Sequence, residues 1–188
     1  MAELRLAGPG SGHGTSGFVG SVLVLGGARS GKSAYAERLV LASAPTALYL
    51  ATGTAGDGEM AERIRQHRAR RGAAWITLEE PLDLCGVLAG QDRLERPVLV
   101  DCLTLWLSNL MHAGADIGAE TERLTALLPR LAGPAVFVAN EVGLGIVPDN
   151  ALARAFRDHA GRLNQAVAAA VDAVIFLAAG LPLQLKPR

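Results

Sequence analysis

From Ser21 onward, short apolar runs alternate with longer stretches of helical spacing. Six runs read as strands: "SVLVLG", "ALYLA", "AWITL", "PVLVD", "AVFVAN" and "AVIFLA". The fourth, fifth and sixth are nearly continuous in apolar residues, which predicts strands buried on both faces. Between Asn150 and Val171 the apolar side chains Leu152, Phe156, Leu163 and Val167 recur at helical spacing. Asn150, just after Pro148, is placed to cap the start, so the stretch predicts one long amphipathic helix. Strands that alternate with helices predict an α/β fold, a mostly parallel sheet with helices on both faces.

Length and composition narrow this picture. The chain has 188 residues, half of them apolar, enough for one domain with a core of ordinary size. With no internal repeat or linker in 21–188, that stretch is expected to be a single catalytic domain. Residues 1–20 are set apart as a leader, because "AGPGSGHGTSGFVG" at 7–20 is dominated by Gly and Ser and reads as a flexible leader or an added remnant. The formal net charge is zero, which argues against a surface tuned to nucleic acid and requires any anion site to be a local concentration of charge. Cys85 and Cys102 are too few for a disulfide framework and sit in apolar surroundings, which points to buried, reduced thiols and a cytoplasmic location. No apolar run approaches the ~20 residues of a membrane span.

"GGARSGKS", from Gly26 to Ser33, satisfies G-x-x-x-x-G-K-[ST] and lies between an apolar strand and a helical stretch. Such a loop curls its backbone so that N–H groups point inward and the next helix presents its positive end. Gly26, Gly27, Ala28, Arg29, Ser30 and Gly31 would then cradle the phosphates, Lys32 would reach the β and γ phosphates, and Ser33 would bind Mg²⁺. The chain has 18 basic residues, and only Lys32 and Lys186 among them are lysines. A chain that otherwise uses arginine places a lysine where a point charge on a thin stem is wanted. The fold expected is therefore a P-loop NTPase of RecA-like type. Asp101, at the end of "PVLVD", is assigned as the second metal ligand at the carboxyl edge of the sheet; the lesser alternative for a strand-end Asp is to cap the helix that follows.

"EMAERIRQHRARRG", residues 59–72, concentrates charge in an otherwise neutral chain. As a helix it would align Met60, Ile64, His67 and Arg71 on one stripe. Arg63, Arg70 and Arg71 would then neighbour the imidazole and favour its neutral form. Such a histidine can act as nucleophile, general base or hydrogen-bond donor; the run can also be a solvated helix face or an RNA-binding patch. Against RNA, no aromatic is interleaved with the arginines, the nearest being Trp75.

Several stretches together resemble the bifunctional adenosylcobinamide kinase / adenosylcobinamide-phosphate guanylyltransferase family of cobalamin biosynthesis. They are "GGARSGKS", "YLATG", "DGEMAERIRQHRARRGAAWITLEEP", "LVDCLTLWLSNL" and the long "NEVGLGIVPDNALARAFRDHAGRLNQAVAAAVDAVIFLAAGLPLQLK", a resemblance over about residues 21–188. It implies two steps: an NTP (ATP or GTP) phosphorylates adenosylcobinamide, and GMP from GTP is then passed to that phosphate through a guanylylated histidine, with loss of pyrophosphate. The R-I-x-x-H pattern carries that role onto His67. The resemblance further implies nucleotide contacts from Arg68, Ala69, Arg70 and Arg71, from Ala51, Thr52 and Gly53, and from Glu79 and Asp101, as well as a homotrimer. The arginines would then supply fixed cations for the charge that develops as pyrophosphate leaves. Asn140 and Glu141 are placed at the corrinoid or its phosphate, or alternatively in shaping the strand-to-helix turn. The rival enzyme is a P-loop kinase of another small hydroxyl compound with no covalent intermediate; a nucleic-acid-stimulated ATPase is disfavoured by the neutral charge.

Overall fold

A computed structural model describes residues 18, 20–53 and 72–187. They build one seven-stranded sheet in the order β3-β2-β4-β5-β1-β6-β7. The strands are β1 (Ser21–Gly26), β2 (Ala47–Ala51), β3 (Trp75–Glu79), β4 (Val98–Asp101), β5 (Ala135–Asn140), β6 (Ala173–Ala178) and β7 (Leu181–Lys186). The pairings among β1 to β6 are parallel, and β7 runs antiparallel to β6. The helices are α1 (Lys32–Leu41), α2 (Leu84–Gln91), α3 (Leu103–His112), α4 (Ile117–Leu127) and α5 (Ala151–Ala170), with a 3₁₀ turn at Leu128–Arg130.

Strand alternation divides the core into two layers. Val22, Val24, Tyr49, Leu99, Val136 and Val138 point to one face, where they pack with Ala36 and Val40 of α1. Leu23, Leu48, Leu50, Val100 and Phe137 point to the other, under Trp106 and Leu107 of α3, Leu124 of α4, and Leu163 and Val167 of α5. Helices thus cover both faces, as the sequence predicts. Full burial of a side chain the size of Leu or Phe is worth ~1.5–3 kcal/mol, so these two layers fix which face each strand residue takes.

Three expectations are refined. Burial on both faces holds for β4 and β5 apart from their last residues, but Ile175 and Phe176 of β6 are only partly buried, because the antiparallel strand beyond them is itself exposed. That strand, β7, is not among the six predicted from the sequence. Its "LPLQLK" exposes Leu181, Leu183 and Leu185, and a proline within an apolar run fits only an edge strand. The helix at 151–170 is capped as predicted, Asn150 accepting from the Ala153 amide at 2.7 Å. Leu152 nonetheless faces outward, and Ala160 and Asn164 complete the buried stripe.

The second lysine has a structural place. Lys186 Nζ donates to the carbonyls of Ala168, Ala169 and Val171 at 3.1, 3.0 and 2.5 Å. A cation here meets the negative end of α5 and satisfies carbonyls that a helix C-terminus leaves unpaired.

Candidate functional site

The loop between β1 and α1 follows from its sequence. A Cβ on Gly26 would stand 2.5 Å from Ser30 Oγ and 2.7 Å from the Leu177 carbonyl, so no larger residue fits there. Gly31 has φ 93° and caps α1 from the left-handed region, where an L side chain is strained. The Ser30 amide donates to the Gly27 carbonyl at 3.3 Å, and the Gly180 amide, in the β6–β7 turn, donates to the Ser30 carbonyl at 2.9 Å. The hairpin thus braces the loop from outside.

The start of α1 is prepared for an anion. No side chain caps it and no acidic residue lies in its first turn, whereas Asp83, Asp116 and Asn150 cap α2, α4 and α5. Unpaired N–H groups and the helix dipole at such an end attract phosphate. Lys32 Nζ donates to the Gly27 carbonyl at 3.1 Å, which folds the ammonium over the loop. Ser33 is half-buried in the first turn, and the Ser30 hydroxyl is buried with no hydrogen-bond partner among the described residues.

Asp101 ends β4 on the α1 side of the sheet, two residues beyond Leu99. It does not cap α3: Cys102 occupies the cap position, with no side-chain bond to the helix. Its Oδ2 accepts from the Tyr49 hydroxyl at 2.6 Å instead. The Cys102 thiol reports the local charges. Burial, and then the Asp101 carboxylate, push its pKa from 9.0 up to about 11, while the backbone amides of Leu105 and Thr104 and, least of the three, the Lys32 charge oppose the rise. The carboxylate and the loop lysine therefore act on one small region.

Glu79, Ala51 and Asp101 lie side by side in register at the carboxyl ends of β3, β2 and β4. Gly26 is in register with Asn140 on β5, and the Glu141 amide donates to the Gly26 carbonyl at 3.0 Å. The structure thus gathers Gly26 to Ser33, Ala51, Glu79 and Asp101 on one edge of the sheet, where open α/β sheets bind ligands. Gly53 continues from that edge, and His67, Arg68, Ala69, Arg70 and Arg71 lie outside the described residues. The adjacent Glu80 is a turn-former, its Oε1 accepting from the Leu82 and Asp83 amides at 2.9 and 2.8 Å.

Thr52 has a structural part at this edge. It is fully buried, and its hydroxyl bridges both main-chain groups of Cys102, donating to the carbonyl at 2.7 Å and accepting from the amide at 2.9 Å. Its own amide donates to the Asp101 carbonyl at 3.3 Å. The side chain belongs to the scaffold that holds Asp101 in place.

Four more side chains, none among the candidates read from the sequence, serve this edge. Asn109 Nδ2 donates to the carbonyls of Thr52 and Pro81 at 2.7 and 3.1 Å, and Trp106 Nε1 donates to that of Leu82 at 2.9 Å. Thr104 Oγ1 accepts from the Asn140 amide at 2.7 Å, and Asn164 Nδ2 donates to the Asn140 carbonyl at 3.1 Å. All four sit on α3 or α5, and polar residues at inward positions of apolar helices are the clue that could have found them.

Comparison with known proteins agrees with this geometry. The family model described as cobinamide kinase / cobinamide phosphate guanyltransferase matches residues 22–185. The bifunctional adenosylcobalamin biosynthesis protein CobP of Pseudomonas aeruginosa is 51% identical over 166 residues, covering 87% of this chain and 96% of that protein. The corresponding protein CobU of Salmonella typhimurium is 41% identical over 180 residues, covering 88% and 99%. Among solved structures, the flagellar accessory protein FlaH of Methanocaldococcus jannaschii has a TM-score of 0.51 at 13% identity, over 90% of this chain and 79% of that one, a likeness of fold alone. The chain belongs to the cobinamide kinase / cobinamide phosphate guanyltransferase family.

Proposed function

We propose that this protein phosphorylates adenosylcobinamide with an NTP and then transfers GMP from GTP to the resulting phosphate, giving adenosylcobinamide-GDP and pyrophosphate. The family assignment supports both activities. The observation that carries the reading is the uncapped start of α1 beneath a P-loop, with Asp101 on the same face of the sheet. The rival kinase of another hydroxyl compound is not favoured, since the family match covers residues 22–185 and includes the arginine segment.

In the first step the chain's own work is placement and charge neutralisation, which supply most of the acceleration in phosphoryl transfer. Amides of Gly27 to Ser33 and the Lys32 ammonium hold the triphosphate. Ser33 and Asp101 would hold Mg²⁺. The hard oxygen donors suit that ion, which normally takes one or two carboxylates and completes its shell with phosphate and water. Among the described residues there is no cluster of three or more His, Cys, Asp or Glu that would bind an ion unaided. When bound, the ion would neutralise charge on the β and γ phosphates.

In the second step a His67 nitrogen attacks the α phosphorus of GTP, a P–N bond forms, the α–β P–O bond breaks, and pyrophosphate leaves. A phosphate oxygen of the corrinoid then attacks the same phosphorus and displaces the imidazole. Arg68, Arg70 and Arg71, with the backbone at Ala69, would stabilise the charge on the departing groups, and Ala51, Gly53, Glu79 and Asp101 would line the nucleotide. The assembly belonging to this reading is a homotrimer in the cytoplasm. Leu144, Ile146 and Val147, exposed in the loop between β5 and α5, support an assembly.

Incubation with α-labelled GTP tests the covalent step. Acid-labile, alkali-stable label on the wild type, absent from His67→Ala while cobinamide kinase activity persists, is the expected outcome. Full guanylyl transfer by His67→Ala would end the reading.

A further inference from the structure

We propose that Tyr49 is a positioning residue for the nucleotide-bound metal and acts through Asp101; this rests on the reading of Asp101 as a metal ligand given above. Tyr49 interrupts the otherwise aliphatic run of β2 and is 2% exposed. Its ring is fixed edge-on against Trp75, with centroids 5.6 Å apart and planes at 82°. A buried tyrosine needs a partner for its hydroxyl, and here that partner is Asp101 Oδ2 at 2.6 Å. Short bonds from a neutral O–H to a carboxylate are among the stronger hydrogen bonds.

The geometry has two consequences. The rigid phenol fixes the rotamer of Asp101, and Thr52, just past the end of β2, holds the main chain at Asp101 and Cys102, so the side chain and the main chain are both set from β2 and the residue after it. The phenol also commits Oδ2, which leaves Oδ1 to meet a cation. A carboxylate held in this way offers one oxygen in one direction, the arrangement that Mg²⁺ with its strict octahedral shell requires. Partners that orient metal ligands are typically worth ~10–100-fold in metal affinity.

The test compares wild type, Tyr49→Phe, Asp101→Asn and the double variant. Mn²⁺ binding to the full chain is followed by electron paramagnetic resonance in the presence of the β,γ-methylene analogue of GTP, and analogue binding is measured separately in EDTA. Tyr49→Phe keeps the ring and its packing and removes only the hydroxyl. The expected result is Mn²⁺ binding about tenfold weaker, analogue affinity in EDTA unchanged, and a double variant no worse than Asp101→Asn alone, since both changes interrupt one pathway. Mn²⁺ affinity of Tyr49→Phe within about twofold of wild type, where Asp101→Asn is strongly impaired, overturns the role of Tyr49 and leaves the metal reading standing. So do additive losses in the double variant, or an equal loss of analogue affinity in EDTA, which would mark a merely loosened core. Wild-type Mn²⁺ affinity in Asp101→Asn removes the metal reading and the role of Tyr49 with it.

Discussion

Replacing Thr52 by valine separates a structural from a ligand-binding role for that residue. Valine has nearly the same shape, so the change leaves the packing in place and deletes the hydroxyl that bridges the main chain of Cys102. The two lost bonds are unequal. The Cys102 carbonyl keeps a second donor, the Trp106 amide at 3.1 Å, and loses only an ordinary bond worth ~0.5–1.5 kcal/mol. The Cys102 amide, bonded to Thr52 Oγ1, is left buried without that acceptor, at a cost of ~1–3 kcal/mol. Burying a methyl in place of the hydroxyl returns part of this, up to ~0.8 kcal/mol, so the net loss is about 2 kcal/mol. With a urea slope of ~2 kcal/mol/M the unfolding midpoint should fall by ~1 M. Thr52→Ser, which keeps the oxygen, should lose less than half as much, and the affinity for GTP in EDTA should be nearly unchanged in both. A valine variant as stable as wild type but with weakened GTP binding would refute the reasoning and return Thr52 to direct nucleotide contact.

Lys186→Met keeps most of the aliphatic stem and removes the cation from three carbonyls at the end of α5; a loss of about 2 kcal/mol is expected, read by calorimetry as a Tm lower by ~4–8 °C. Alkaline stability should follow the two thiols. Burial is the main cause that raises both pKa values from 9.0 to about 11; at Cys85 Arg123 partly opposes it, and at Cys102 Asp101 adds to it. The unfolded chain releases these protons near pH 9 and the native chain retains them. The native state therefore binds more protons in that window, and stability falls as pH rises from about 9 toward 11. Urea midpoints at pH 8 and pH 10 should show the fall, and a Cys85→Ala/Cys102→Ala variant should lose most of the difference.

The order of strands and helices was legible because it is written in local periodicity. "SVLVLG", "ALYLA", "AVFVAN" and "AVIFLA" coincide with β1, β2, β5 and β6 residue for residue, and the cap at Asn150 lies where the composition places it. The phosphate loop was equally plain, since its glycines answer to steric needs that are local: the close approach of Ser30 at Gly26 and the left-handed cap at Gly31. Strand β7 escaped because its leucines are exposed and its proline disguises it, so its identity comes from the partner β6 rather than from its own pattern.

The sequence alone determined the α/β class, the anion site at the start of α1 and the family, because each depends on residues close together in the chain or on motifs peculiar to it. Tertiary structure decided how those parts meet. It gave the Thr52 hydroxyl the work of a brace on Cys102, set Tyr49 against Asp101 across 52 positions of sequence, and gave Asn109 hold of two carbonyls 28 and 57 positions away. A side chain's partner is fixed by the pairing of strands and the packing of helices upon them, and hydrogen bonds act over about 3 Å. No local pattern encodes which distant atom will come within that reach.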